Sequence, residues 1–145
     1  MNKSYMLKYT YKSPTNLFHG DKKYTLTYIR RMISEFVYDM GNLENNPFTF
    51  PEVQTLLDGI TVGGHKLSDQ NQILNIKSSW DYVIKLSNKE NLSLNKDTIC
   101  SIHKIVAKDE ALIVGDFRNG NIGIAGTTQY ECIEATLLND LFVKD

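Results

Sequence analysis

The chain has 145 residues, of which 41% are hydrophobic, with 16 Lys and Arg against 17 Asp and Glu. That length suits one domain, and the composition is that of a folded globular protein rather than a disordered one. The net charge of −1 argues against a generic nucleic-acid binder, and no apolar run is long enough to cross a bilayer. Since the N-terminus also lacks the apolar core of a secretory signal, we expect a cytoplasmic protein with neither a nucleic-acid nor a membrane partner.

The first predicted element follows a lead-in that has no hydrophobic period. We therefore predict an N-terminal arm over residues 1–22 and a single domain over 23–145. Apolar residues recur at helical spacing from Ile29 to Met40, which predicts one helix of roughly four turns. That helix is expected to end near Gly41-Asn42, where glycine and asparagine tolerate the left-handed cap conformation.

The next two helices have clearer start and stop signals. Thr49-Phe50-Pro51-Glu52 is a capping-box sequence with proline in the first turn, so a helix should begin there and end at Gly59. After the glycine pair at 63–64, Ile73, Ile76 and Trp80 predict the inner face of a longer helix.

The last third of the chain changes character. Ser93 or Asn95 starts a further helix, and Ile133 to Leu141 predict a terminal amphipathic one. Between them, residues 117–124 alternate in polarity around an Asn-Gly pair, which predicts a β-hairpin whose turn falls at Asn119-Gly120 or at 125–126. The predicted fold class is therefore all-α with one small β-hairpin.

Few residues have the spacing that catalysis or metal binding requires. No two of the three histidines have metal-ligand spacing, and Cys100 and Cys132 are read as free thiols. Cys100 and His103 can share a helix face, but a nucleophilic pair also needs an orienting group and an oxyanion site. A half-buried structural role is expected for His103, and a solvated position for His65.

Four short stretches, in order and at matching spacing, resemble the Fic domain family over roughly residues 38–126. Leu43-Glu44-Asn45-Asn46 is similar to the family's Ile-Glu-Gly-Asn. Thr61 to Gly64, and then Leu74-Asn75 with Trp80-Asp81-Tyr82, look like its next stretch. Residues 115–126 resemble Gly-x-(Phe/Tyr)-Arg-x-x-x-Val-x-Ile-x-Gly. The resemblance implies a Fic-like helical bundle and, as family activity, transfer of AMP from ATP to a protein hydroxyl, with ATP and Mg²⁺ in the complete domain.

The resemblance also implies roles for two sites. Glu44 matches the glutamate of the inhibitory motif (Ser/Thr)-x-x-x-Glu-(Gly/Asn), which pairs with a catalytic-motif arginine and blocks placement of the ATP γ-phosphate; the Ser/Thr position is Met40 here. The hairpin matches the flap that binds a protein target by strand addition. The flap residues are Phe117, Arg118, Asn119, Gly120, Asn121, Ile122, Gly123, Ile124, Ala125 and Gly126.

The family's catalytic motif, His-x-Phe-x-(Asp/Glu)-Gly-Asn-x-x-Arg, does not occur in these 145 residues. Two residues after His103 the chain has Ile105 rather than Phe, and Gly120-Asn121 is not followed by Arg three residues later. We therefore assign no catalytic residue, expect no cofactor for this chain, and expect a Fic domain truncated before its motif and inactive alone. One alternative is a non-catalytic module that binds a peptide at the flap or self-associates; another is an unrelated helical enzyme using Cys100 and His103.

Overall fold

The computed structural model describes residues 20–89, 92–126 and 131–142. Within these ranges the chain forms six α-helices and one 3₁₀ turn, so the predicted all-α class is confirmed. The helices are α1 (Lys22–Arg31), α2 (Ile33–Leu43), α3 (Phe50–Leu57), α4 (Leu67–Ser87), α5 (Lys96–Val106) and α6 (Leu138–Phe142), with the 3₁₀ turn at Ala135–Leu137. None of the helices in the described ranges is long and apolar enough to span a membrane.

The core lies where α2 and α3 pack against α4. Its buried side chains are Val37, Phe48, Val53, Leu56, Ile73 and Ile76. Trp80 extends this core on α4, where its ring stacks on Phe36 of α2 at 5.2 Å between centroids. Helices α1, α5 and α6 contribute no buried residue, so they are held by half-buried contacts around this core.

The predicted first helix is two helices rather than one. The chain leaves helical geometry at Met32 (ψ 8°), whose N–H is shared between the carbonyls of Tyr28 and Ile29 at 3.0 and 3.2 Å. Such a shared bond tightens the last turn of α1 and lets α2 start in a new direction. As a result α2, not α1, carries the face that packs on α4.

Helix α2 ends at Leu43, close to the predicted Gly41-Asn42, but Gly41 is not the left-handed cap that its sequence context suggested. It is buried within the helix, where a Cβ atom would lie 2.7 Å from Ile73 Cδ1. The glycine is therefore needed because α4 approaches closely, and α2 continues to Leu43. The left-handed residue that turns the chain is Asn45, with φ of 59°.

Local cap signals predicted two helix starts correctly. At α3, the Glu52 carboxylate accepts hydrogen bonds from the Thr49 backbone N–H (2.8 Å) and hydroxyl (2.7 Å). At α5, Asn95 Oδ1 accepts from the Thr98 N–H at 2.9 Å, so Asn95 rather than Ser93 is the N-cap. Gly59, with φ of 85°, follows the end of α3 as predicted.

The predicted β-hairpin is not seen. In the described part of the segment, up to Gly126, no residue lies in a strand. The polar groups of the segment bond instead to the chain just before α6: the Arg118 guanidinium donates to the Ile133 carbonyl, and Asn121 Oδ1 accepts from the Ala135 N–H at 2.8 Å. These contacts hold residues 117–121 in an irregular loop. The strand prediction from the alternating polarity was therefore wrong.

Candidate functional site

The turn between α2 and α3 holds the first part of the Fic-like run in a fixed geometry. Asn46 is buried, and its Nδ2 donates to the Asp69 carbonyl (2.9 Å) and to Gln72 Oε1 (2.7 Å), both on α4. Its Oδ1 accepts from the Phe48 N–H at 3.0 Å. With three hydrogen bonds satisfied, Asn46 fixes the end of α2 against α4, and Glu44 precedes it by two residues.

Glu44 lies at the C-terminal end of α2 with an exposed side chain. Its backbone N–H donates to the Gly41 carbonyl at 3.1 Å, whereas its carboxylate makes no hydrogen bond or ion pair with any residue of the described ranges. The C-terminus of a helix carries partial negative charge, so a carboxylate there is mildly unfavourable. The part of the chain that the structure describes therefore offers Glu44 no compensating cation.

Glu44 borders an open groove of about 390 Å³ between α2, α4 and the end of α5. The groove is lined by Met40, Leu43, Glu44, Gln72, Ile76, Val106, Ala107, Glu110 and Ala111. Most of these side chains are apolar, and two carboxylates stand among them. Such a groove suits an apolar segment that carries a cation.

One side chain connects the two walls of this groove. Gln72 Oε1 accepts from Asn46 on one side, and Gln72 Nε2 donates to Glu110 Oε2 at 2.9 Å on the other. Nearby, Asn75 Nδ2 donates to the Lys108 carbonyl at 3.0 Å. The turn after α2 and the turn after α5 are thus tied to the same stretch of α4. Sequence reasoning missed Gln72 and Glu110, because no local pattern links residues 38 positions apart.

Met40, which stands at the Ser/Thr position of the inhibitory pattern, has a partner of its own. Its Sδ accepts a hydrogen bond from Trp80 Nε1 at 3.2 Å. The thioether therefore links α2 to α4.

The loop that follows α5 covers a second cavity, of about 680 Å³. Its lining includes Ile99, Cys100 and His103 of α5, residues 111–113, residues 116–122, and Leu138 of α6. Ala111 belongs to the walls of both cavities. The structure thus brings the neighbourhood of Glu44 and the predicted target-binding segment to adjoining positions along α5.

Lys96 at the start of α5 holds the loop from the other side. Its Nζ lies 3.0 Å from Asp116 Oδ1, 2.7 Å from Asn139 Oδ1 and 4.8 Å from the centre of the Phe117 ring. The hydrogen bond from Lys96, together with one from the Phe117 N–H, lowers the pKa of Asp116. The first half of the segment, 117–121, is therefore fixed to α5 and α6.

The second half of the segment is open. Ile122 and Ile124 are 59% and 53% exposed, and residues 122–125 make no backbone hydrogen bond within the described ranges. Unpaired N–H and C=O groups beside exposed apolar side chains are what a peptide requires when it adds alongside a chain segment.

No family model, curated protein or solved structure matches this chain. The assignment of its sites consequently depends on the sequence resemblance and on the geometry above.

The other residues considered for catalysis, His103, Cys100 and His65, lie in structural surroundings. His103 is half-buried, and its Nδ1 accepts from the Gly115 N–H at 3.1 Å, which ties the loop to α5. Cys100 lines the same cavity as His103. The solvated position expected for His65 is wrong, because its ring stacks on Phe48 at 4.0 Å between centroids and its Nε2 lies 3.1 Å from Glu52 Oε1.

In the ranges that the structure describes, no three His, Cys, Asp or Glu side chains come close enough to hold a metal ion. The sequence also lacks the motif that would supply a base, a metal ligand and a phosphate-binding arginine. No residue of this chain is therefore assigned to Mg²⁺ or to the nucleotide.

Proposed function

We propose that this chain is a Fic-type scaffold for the transfer of AMP from ATP to a protein hydroxyl. Glu44 is its inhibitory carboxylate, and residues 117–126 receive the protein target. ATP and Mg²⁺ are held only when a segment with the motif His-x-Phe-x-(Asp/Glu)-Gly-Asn-x-x-Arg is present, so these 145 residues are inactive alone.

The observation that carries the proposal is the environment of Glu44. An exposed carboxylate without a partner among the described residues borders an apolar groove, at the helix end where negative charge is least favourable. An incoming segment that presents an arginine would bury the apolar lining and neutralise this charge at once. The wall shared with the cavity under residues 116–122 supports the same proposal, because inhibition and target binding would then occur side by side.

A peptide supplied in trans tests the role of Glu44. A fluorescent peptide carrying the motif should bind the protein, and Glu44→Gln should weaken that binding about two- to fivefold, the effect of losing one exposed ion pair. A peptide with the motif arginine changed to glutamine should not distinguish the two proteins. Glu35→Gln, which removes an exposed carboxylate of α2 outside the groove lining, serves as the matched control and should have the smaller effect.

Two results would contradict the proposal. One is equal binding of the arginine peptide by the original protein and by Glu44→Gln. The other is AMP transfer from labelled ATP by the pure 145-residue protein, since the proposal gives these residues no catalytic group.

A non-catalytic interaction module is the second candidate function, favoured by the exposed side chains of Leu112, Ile122 and Ile124 beside the larger cavity. Large exposed apolar patches usually mark a partner site. If light scattering shows a monomer that does not enhance the fluorescence of an apolar dye, self-association through this surface is wrong.

A further inference from the structure

The near-zero net charge of the chain conceals a strong segregation of charge along it. Residues 1–31 contain seven Lys and Arg and a single acid, Asp21, whereas residues 32–145 contain nine Lys and Arg and sixteen Asp and Glu. The first part thus carries +6 and the remainder −7. Such an asymmetry points to an anionic partner for the basic part, which the total charge does not reveal.

Three cations of α1 converge on one cavity. Lys22, Lys23 and Arg30 line a space of about 370 Å³ together with Leu26 and with Asn88 at the end of α4. The carboxylate in this lining, Asp21, is engaged as the N-cap of α1, where its Oδ1 accepts from the Lys23 N–H at 2.9 Å.

The residues that the structure describes do not neutralise these charges. Lys22, Lys23 and Arg30 make no ion pair with any residue in the described ranges. Lys22 and Lys23 also occupy the first turn of α1, where the helix dipole disfavours a cation. A bound anion would therefore relieve repulsion that the protein alone leaves in place.

The aromatic side chains of α1 indicate which kind of anion fits. Tyr24 is 71% exposed and Tyr28 is 49% exposed, whereas Leu26 and Ile29 are half-buried. A helix that lies in a membrane surface needs an exposed aliphatic or tryptophan-rich face, which α1 does not present. Tyr24 follows Lys23 on α1 and lies outside the cavity lining, so its exposed ring is free to stack on a nucleobase while the cations contact phosphates.

We propose that α1 is a binding surface for a single-stranded polynucleotide. Lys22, Lys23 and Arg30 contact phosphates, and Tyr24 stacks on an unpaired base. A single strand is required because a duplex keeps the faces of its bases stacked on one another and out of reach of a tyrosine ring. This inference departs from the expectation drawn from net charge, and it stands independently of the role of Glu44.

Salt-dependent binding tests the phosphate contacts. Fluorescein-labelled 20-nucleotide RNA and DNA of mixed sequence should bind the full chain, with log K falling by about 2 per tenfold rise in salt for three phosphate contacts. The triple variant Lys22→Gln, Lys23→Gln, Arg30→Gln should abolish most of that slope and weaken binding at 25 mM salt at least tenfold. The RNA and DNA arms show whether the 2′-hydroxyl contributes.

A matched control separates a site from general electrostatics. Lys66→Gln, Lys104→Gln and Lys108→Gln together change the net charge equally, at exposed positions outside the lining of the α1 cavity, and should keep the dissociation constant within twofold. Tyr24→Ala should weaken binding about tenfold, and Tyr24→Phe should retain it, because the ring and not the hydroxyl stacks.

Four results would overturn the inference. They are the absence of binding to both oligonucleotides at 25 mM salt, an equal loss in the control triple variant, no effect of Tyr24→Ala, and binding to anionic phosphatidylserine vesicles without binding to either oligonucleotide. The last of these would identify α1 as a membrane-surface helix.

Discussion

At the scale of single residues, Asn46 has the greatest influence on the site. It is 8% exposed and makes three side-chain hydrogen bonds, two to α4 and one to the backbone of Phe48. Removing one partner of a buried hydrogen bond costs more than the bond is worth, because the other partner loses its solvation without replacement.

Asn46→Ala should therefore lower the free energy of unfolding by about 2–3 kcal/mol, since it leaves the buried Phe48 N–H without an acceptor. Urea denaturation followed by circular dichroism measures the change. Asn42→Ala is the matched control, because Asn42 is exposed and its side chain makes no hydrogen bond in the described ranges. It should change stability by no more than about 0.5 kcal/mol. Equal effects of the two substitutions would refute the anchoring role of Asn46.

At the scale of elements, α3 depends on the cap at its start because it has only eight residues. The hydrogen bond from the Thr49 N–H, then that from the Thr49 hydroxyl and then that from His65, lower the pKa of Glu52 from 4.5 to about 2. Ionised Glu52 thus stabilises the native state fully above about pH 4.5. That stabilisation is lost as the pH falls from 4.5 towards 2.

The urea midpoints of the protein and of Glu52→Gln should consequently differ most near neutral pH and converge between pH 4.5 and pH 2. Glu35→Gln, an exposed carboxylate in the first turn of α2, controls for the removal of a charge alone. If the difference in urea midpoint between the protein and Glu52→Gln stays constant down to pH 2, the stabilisation by Glu52 does not depend on ionisation of its carboxyl group.

The elements also show which parts of the fold can be predicted from sequence. The starts of α3 and α5 follow from side chains within four residues of the cap, so local chemistry decided them. Gly41 was misinterpreted because its role depends on Ile73, 32 positions away. Residues 117–124 alternate in polarity as a strand would, yet their hydrogen bonds go to residues 133 and 135. Long-range contacts outweighed the local pattern at both places.

The candidate site likewise has a part that the sequence predicts and a part that only the packed structure shows. The resemblance identified Glu44 from neighbouring residues in the sequence, and the structure adds its groove. Gln72 and Glu110 could not be found in advance, because their contact exists only once α4 and the turn after α5 are packed. The three cations of α1 were visible in the sequence, but the net charge of the whole chain concealed them.

At the scale of the whole molecule, stability should be unevenly distributed. The buried cluster joins α2, the 46–49 loop, α3 and α4, whereas α1, α5 and α6 bury no residue completely. Elements with few buried contacts open locally at lower free energy than the core does.

Native-state hydrogen exchange should therefore show the slowest amides in α2 and α4, with amides of α1 and α6 exchanging roughly a hundredfold faster or more. The comparison within one protein is its own control, since all helices experience the same pH and temperature. Uniform protection across the six helices would instead indicate that α1 and α6 unfold only with the core.

The amide of Gln72 gives the groove beside Glu44 a property that its lining alone would not. An amide has one accepting end and one donating end, and here the accepting end meets Asn46 while the donating end meets Glu110. The two ends of the side chain are therefore not interchangeable, because one must accept and the other must donate. Glutamate could not replace it without facing a second carboxylate, and leucine could not bind either wall. A substitution of Gln72 therefore acts on both walls of the groove at once.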